Sequence, residues 1–297
     1  MPDAPEILVF FDEPTQTASY LVADPATGSA AVIDPVLDYD AVSARISSAS
    51  VEAIMAAAEE RSWRIEMVLE THAHADHLSG AKLIAVRTGA WIGIGAFITK
   101  VQDVFRPMFG AHDLLPDGGD FDRLLHDGDV LPLGNLAFTV MHTPGHTAAC
   151  ISFGIADAVF VGDTLFMPDY GTARTDFPGG DAHALYRSIR RLLALPVETR
   201  MFLCHDYKGP GRTDFAWETT VGAQRRDNVH AHDGIDEAAF VVQRQARDAG
   251  LSPPKLLLPS IQVNIRAGRM PPAEAGLGPV LRLPLSAGDP LAATLLS

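Results

Sequence analysis

The 297-residue chain is predicted to fold as a mixed α/β protein, and three observations carry that prediction. Apolar runs of strand length recur between turn residues, as in Met67-Val68-Leu69-Glu70, Val159-Phe160-Val161 and Met201-Phe202-Leu203. Other stretches place apolar residues on one helical face: Val51, Ile54, Met55 and Ala58 follow the i, i+3, i+4, i+7 stripe of a core-facing helix. Finally, these strand-like runs are each followed by side chains that bind metals. Ligand sites in α/β proteins gather at the C-terminal ends of strands.

The elements follow in order. Residues 7–11, 19–23 and 30–34 read as strands, and Asp34-Pro35 ends the third because a residue before proline avoids the helical region. Residues 51–60 form the first helix. Met67–Glu70 is a buried strand, and Leu78–Ala85 has helical spacing. Residues 91–94 suggest a short strand. Residues 100–120 carry Pro107, Gly110, Pro116, Gly118 and Gly119 without a clear period, so a long loop near the site is expected there, with Phe105, Met108 and Phe109 as its wall. Strands follow at 129–133, 136–141, 150–154 and 158–162. Asp181 is placed to cap a helix that turns Leu185, Ile189, Leu192 and Leu193 inward and stops by Pro196. A Gly/Pro loop at 208–211, helices near 216–230 and 236–249, and a Pro- and Gly-rich tail over 251–297 complete the chain. There is no internal repeat. The expectation is one domain over 1–297 with a C-terminal helical and loop extension from about residue 212.

Composition bounds the function. A hydrophobic content of 47% supports a large core. A net charge of −14 argues against a nucleic-acid partner, which needs a basic surface. Two cysteines, Cys150 and Cys204, are too few for a disulfide scaffold and point to a reducing compartment. They are expected to be core thiols, with Cys204 facing away from His205. The acidic start Met1–Glu6 is not a secretion signal, so a cytoplasmic location is expected. No apolar run approaches the roughly 18 residues a membrane span needs. The oligomeric state stays open, and a homodimer is compatible with the sequence.

The chemistry centres on Thr71-His72-Ala73-His74-Ala75-Asp76-His77. A lone histidine is usually structural, but this segment packs four potential ligands into six positions, 72 to 77. Imidazole and carboxylate suit zinc or iron. Alternation along the loop would give His72 and His74 to one metal and Asp76 and His77 to a second. Three later stretches add donors: His142-Thr143-Pro144-Gly145-His146-Thr147, Gly162-Asp163-Thr164, and Cys204-His205-Asp206-Tyr207.

This order of HxHxDH, PGHT, GD and a strand-end histidine resembles the metallo-β-lactamase superfamily over roughly residues 20 to 210. The resemblance implies a four-layer αββα sandwich with metal at one edge between the sheets. A glyoxalase II-type thioester hydrolase would use all seven donors for two Zn(2+): His72, His74, His146 and bridging Asp163, with Asp76, His77 and His205 on the second ion. Its metal-bound hydroxide would attack the thioester.

Other residues resemble the persulfide dioxygenase branch, including its bacterial β-lactamase-like members. These are Asp163-Thr164-Leu165-Phe166, Tyr170-Gly171-Thr172-Ala173-Arg174-Thr175-Asp176-Phe177, His205-Asp206-Tyr207, and Asn264-Ile265-Arg266-Ala267-Gly268. The chain departs from that pattern at Ala173, where glycine is usual, and at 209–212. The resemblance implies one Fe(2+) per chain on His72, His146 and Asp163, and His74, Asp76, His77 and His205 hydrogen-bonding around it. The substrates would be O2 and a small thiol persulfide, with glutathione persulfide oxidised to sulfite in sulfide detoxification. Arg174 and Tyr207 are the expected substrate-binding residues.

Overall fold

The structure is a computed structural model and describes residues 4–285. Residues 1–3 of the acidic start and 286–297 of the tail lie outside the described residues.

The first half builds β1 (Glu6–Asp12), β2 (Thr17–Ala23), β3 (Ser29–Ile33), β4 (Val36–Leu37), β5 (Tyr39–Asp40), β6 (Arg45–Ile46), α1 (Ala49–Glu60), β7 (Arg64–Glu70), β8 (Leu78–Ser79), α2 (Ala81–Thr88), β9 (Trp91–Gly95) and α3 (Ile98–Met108). Then come β10 (Arg123–Leu125), β11 (Val130–Leu133), β12 (Leu136–His142), β13 (Ile151–Ile155), β14 (Ala158–Phe160) and α4 (Ala182–Leu193). The last elements are β15 (Arg200–Phe202), β16 (Glu218–Thr220), α5 (Val221–Asp227), α6 (Glu237–Asp248) and α7 (Leu257–Asn264). One six-stranded sheet runs β1-β2-β3-β7-β9-β10, and a second runs β11-β12-β13-β14-β15-β16. Strands β3, β7, β9 and β10 are mutually parallel.

Period-two alternation assigns the layers. Along β2, Ala18, Tyr20 and Val22 face the second sheet, where Phe138, Phe153, Phe160 and Phe202 meet them. Leu21 and Ala23 point the other way, onto Val51, Ile54 and Ile84 of α1 and α2 and onto Ile98, Val101 and Ile261 of α3 and α7. On the far side of the second sheet, Val159 and Met201 pack on Leu185, Ile189, Val221 and Phe240 of α4, α5 and α6. The order helix, sheet, sheet, helix is the αββα sandwich. Tyr20 lies edge-on to Phe160 and Phe202, with centroids 5.0 and 5.5 Å away. Such pairs add about 0.5–1.5 kcal/mol each beyond the area they bury. Among the described residues no helix is long and apolar enough to cross a membrane.

Several expectations need correction. Residues 100–120 are not one long loop, because α3 occupies Ile98–Met108. Its stripe of Ile98, Val101, Gln102 and Phe105 is buried, and a polar member at Gln102 masked the period. Pro107 lies one residue before the helix end, so the one intrahelical bond its missing N–H forfeits is confined to the last turn. Phe105 borders a small cavity with Ala73, Ala75, His146 and Phe177, whereas Phe109 is a core residue and Met108 is exposed. Leu78–Ser79 is a strand paired with β4, so the helix begins only at Ala81. Residues 218–220 are a strand beside β15 rather than helix. The Pro/Gly-rich tail contains α7, whose Ser260, Ile261, Gln262, Val263 and Asn264 are buried. As expected, Asp181 caps α4, accepting from the N–H groups of His183 and Ala184.

Candidate metal centre

Four chain crossings leave the ends of their strands at one edge between the sheets. β7 runs into residues 71–77, β12 into 143–147, β14 into 161–163 and β15 into 203–205. Backbone bonds stitch these loops together: Ile151 N–H donates to the Thr71 carbonyl at 2.9 Å, and Ala18 N–H to the Cys204 carbonyl at 2.7 Å. Two glycines permit the packing. Gly145 has φ +142, and a Cβ there would fall 2.3 Å from the Leu185 backbone of α4. Gly162 has φ +51, and a Cβ there would press on Thr71. Any larger residue would displace the neighbouring His146 or Asp163.

Hydrogen bonds at the far side of the rings decide which nitrogen faces the centre. The His146 Nδ1 is 2.9 Å from the Arg174 carbonyl, and the His205 Nδ1 is 3.1 Å from the Gln16 carbonyl. A carbonyl only accepts, so both Nδ1 atoms carry a proton, and in the neutral ring Nε2 is then the atom that keeps a lone pair for a metal. The Thr71 hydroxyl donates to Asp34 at 2.8 Å, so it accepts from the His72 Nδ1 at 3.0 Å. His72 is thereby oriented in the same way.

The donors form two adjoining groups. His72, His146 and Asp163 bring ligand atoms within 4.8 Å of one another, as do His74, Asp76 and His77. Asp163 serves both sides. Its Oδ2 lies 3.6 Å from His146 Nε2 and 3.9 Å from His72 Nε2, and its Oδ1 lies 3.4 Å from His205 Nε2. Asp76 Oδ2 is 3.3 Å from His205 Nε2. His72 and His74 lie side by side, with ring centroids 4.1 Å apart, and the His74 Nδ1 is left without a partner among the described residues. His74 turns its Nε2 toward the buried carboxylates of Asp34, at 3.0 Å, and Glu70, at 3.3 Å.

Burial and these neighbours set the charge states. Burial and the adjacent His74 and His146 hold His72 well below the usual imidazole range, so it is neutral and competent to bind a metal. Burial opposes the charged forms of His74, His205 and Asp76. The Asp34 carboxylate nevertheless raises His74 well above its ordinary value, Asp76 raises His205, and His205 with His77 lowers Asp76. Burial raises Glu70.

The centre fits a metal ion. His72 Nε2, His74 Nδ1, His77 Nε2, His205 Nε2 and Asp163 Oδ1 are buried without a hydrogen-bond partner among the described residues. Buried polar atoms are normally paired, and neighbouring orphans from such donor groups are what a cation satisfies. Cys204 does not face away from the centre. The strand ends at Phe202, alternation stops, and its thiol comes within ligand range of His74 and His205. Cys150 lies beside Thr147, and burial pushes its thiol up to about 12.

A cleft of about 520 Å³ opens above Asp76, His146 and Asp163. Phe166, Tyr170 and Phe177 line it. The two sequence-derived anchors both border it. Tyr207 stacks on His205 at 5.5 Å and packs against Phe166 and Tyr170, and burial holds its hydroxyl in the neutral form. Arg174 closes its guanidinium fork on Asp176, with both contacts at 2.6 Å, and donates to the Ser252 carbonyl at 2.8 Å. It also lies over the Phe177 ring. Sequence reading missed Arg247 and gave Lys255 of the Pro254-Lys255 resemblance no role; both are exposed cations on the cleft wall. It also missed Asp34 and Glu70 beneath His74. A buried-strand glutamate directly before the histidine motif was the available signal.

Comparisons with known proteins agree with this architecture. Residues 12–205 match the family described as the metallo-beta-lactamase superfamily. A probable metallo-hydrolase of Burkholderia pseudomallei is 50% identical over 94% of this chain and 98% of its own. A hydroxyacylglutathione hydrolase of Rhodospirillum rubrum is 36% identical over 65% of this chain and 64% of its own. Among solved structures, ETHE1 from Myxococcus xanthus superposes with a TM-score of 0.71 at 29% identity, over 89% of this chain and all of that one. A di-iron-bound form of TTHA1623 superposes with a TM-score of 0.54 at 26% identity, over 75% of this chain and 98% of that one.

Proposed function

Because this chain belongs to the metallo-β-lactamase superfamily, we propose that it is an iron-dependent persulfide dioxygenase. In this reading it oxidises a small thiol persulfide, such as glutathione persulfide, to sulfite with O2 in sulfide detoxification. One observation carries the reading: His72, His146 and Asp163 converge as a two-histidine, one-carboxylate face beneath an open cleft. The resemblance of residues 163–177 and 205–207 to the persulfide dioxygenase branch supports it, as does the likeness to ETHE1.

Fe(2+) held there, one per chain, would supply redox chemistry and open positions for O2 and a substrate sulfur, which a closed tetrahedral site lacks. The protein's own part is positioning. The Arg174 and Gln16 carbonyls and the Thr71 hydroxyl fix three imidazoles, so the donors are preorganised. Phe166, Tyr170 and Phe177 exclude water from the sulfur's approach. Arg247 and Lys255 meet the anionic end of the carrier, and Tyr207 lines its path. With Arg174 committed to Asp176, its anchoring role passes to those two cations, and its carbonyl orients His146. The two buried free thiols and a glutathione-type substrate fit a cytoplasmic setting.

A second reading, a two-metal thioester hydrolase of the glyoxalase II type, has its own support. Asp163 divides its oxygens between two donor groups, as a bridging carboxylate would. One experiment separates the two. Anaerobically purified protein is analysed for metal, and the same sample is assayed for O2 uptake on glutathione persulfide and for cleavage of S-lactoylglutathione. The dioxygenase reading expects iron and persulfide-dependent O2 uptake, both lost on zinc substitution because zinc has no redox chemistry. Two zinc ions with efficient thioester cleavage and no O2 uptake would overturn it.

A further inference from the structure

The motif Asn264–Gly268 plays no part in the reaction as described, yet it lies against the metal loop. Asn264 ends α7 and is buried. Its Nδ2 donates to the His74 carbonyl at 2.8 Å and to the His77 carbonyl at 2.7 Å. Its Oδ1 accepts from the Ser79 N–H at 2.8 Å. Every hydrogen-bonding group of this carboxamide is therefore spent on one loop, 185 to 190 residues away in sequence. The rest of the segment fixes its position. Gln102 of α3 donates to the Ile265 carbonyl at 2.9 Å, and Arg266 pairs with Asp113 at 3.0 Å. Gly268, at φ +81, lies so close that a Cβ would be 2.8 Å from the Ser79 carbonyl.

We propose that Asn264 is a positioning residue for the metal centre, holding residues 74–79 so that His74, Asp76 and His77 stand against His205 and Asp163. The effect is selective. His72 and His146 have supports of their own in Thr71 and the Arg174 carbonyl. Ser79 keeps a second hold through its hydroxyl on Glu70. Losing Asn264 therefore loosens one side of the centre and leaves the His72, His146 and Asp163 face in place. The C-terminal segment thus completes the metal site as well as walling the cleft. The proposal rests on the metal-site reading that both functional hypotheses share.

The test uses full-length protein carrying Asn264→Asp, which keeps an acceptor for Ser79 and loses donors, and Asn264→Ala, which loses both. Asp24→Ala serves as a destabilised control, since Asp24 holds the Ala26 and Asn135 N–H groups in another part of the fold. The readouts are amide exchange across residues 72–80 and the visible spectrum and stoichiometry of added Co(2+). They need neither O2 consumption nor thioester cleavage, so they stand apart from the choice between those activities. The expected result is exchange in 72–80 faster by about tenfold or more in Asn264→Ala and by less in Asn264→Asp. Both variants should still bind the first Co(2+) equivalent on His72, His146 and Asp163, and should change the part of the spectrum and stoichiometry that the His74, Asp76, His77 and His205 side contributes, while Asp24→Ala keeps the wild-type spectrum. An unchanged spectrum and unchanged exchange in either folded Asn264 variant would overturn the proposal. So would an equal spectral change in Asp24→Ala, or a wild-type chain that binds no Co(2+).

Discussion

The floor of the cleft and its mouth are built on different principles. On the floor the donors follow strand ends, the rings of His72, His146 and His205 are fixed by a hydroxyl or a backbone carbonyl, and the inward Nε2 atoms of His72 and His205 have no hydrogen-bond partner among the described residues. At the mouth the conspicuous cation, Arg174, is already satisfied by Asp176 and Ser252. The less conspicuous Arg247 and Lys255 stand exposed, with no carboxylate closed on them among the described residues. An unsatisfied buried atom signals a ligand because leaving it unpaired is costly. A charged residue beside a cleft carries no such signal, because a neighbouring acid can satisfy it.

The largest effect should come from the floor. Asp163→Ala removes the one carboxylate of the His72, His146 and Asp163 face and should lower metal affinity by more than the roughly 100-fold that outer partners lose. His205→Ala should retain most of it. Metal analysis of the two purified variants decides the matter, and equal iron content in both would erase the distinction between the two donor groups.

At the mouth, Arg247→Ala and Lys255→Ala should each raise KM about tenfold with kcat little changed, as expected for an anionic end held equally in ground and transition states. Arg174→Ala should leave KM within about twofold and lower stability by no more than about 1 kcal/mol, since its ion pair is partly exposed. Steady-state kinetics with the three folded, metal-loaded variants would reverse this assignment if Arg174→Ala alone raised KM.

An effect on stability alone concerns the scaffold behind the cleft. His230 accepts from the Thr172 N–H at 3.2 Å, and burial with the nearby Arg244 lowers it to about 4. The unfolded chain takes up this proton near 6.5 and the folded chain only near 4, so unfolding is favoured as pH falls between those values. The contribution is complete above about 6.5 and lost by about 4. It amounts to about 1–2 kcal/mol once partial solvent screening is allowed for. Urea midpoints across that window should show His230→Asn flattening the slope. An unchanged slope would remove His230 from the account.

The legible parts of the molecule share a physical feature: their information is local. Apolar runs named the strands of the two six-stranded sheets except β10 and β16, the Asp181 cap and the α4 stripe followed from neighbouring residues, and the metal donors stood out because histidines and aspartates crowd the ends of apolar runs. The α3 stripe was obscured by one polar member, Gln102, which is buried because it bonds Ile265, 163 residues away. The α7 helix hid in a Pro- and Gly-rich tail because its reason for being buried, the metal loop, belongs to the other end of the chain. By itself, then, the sequence determined the strand and helix periods, the donor residues and the strand ends that carry them. Only the tertiary structure decided which donors share a group, that His74 turns to Asp34 and Glu70, that Arg174 closes on Asp176, and that Asn264 holds the metal loop. Each of those choices is a competition between partners distant in sequence, settled by burial and hydrogen-bond satisfaction once the two sheets have packed.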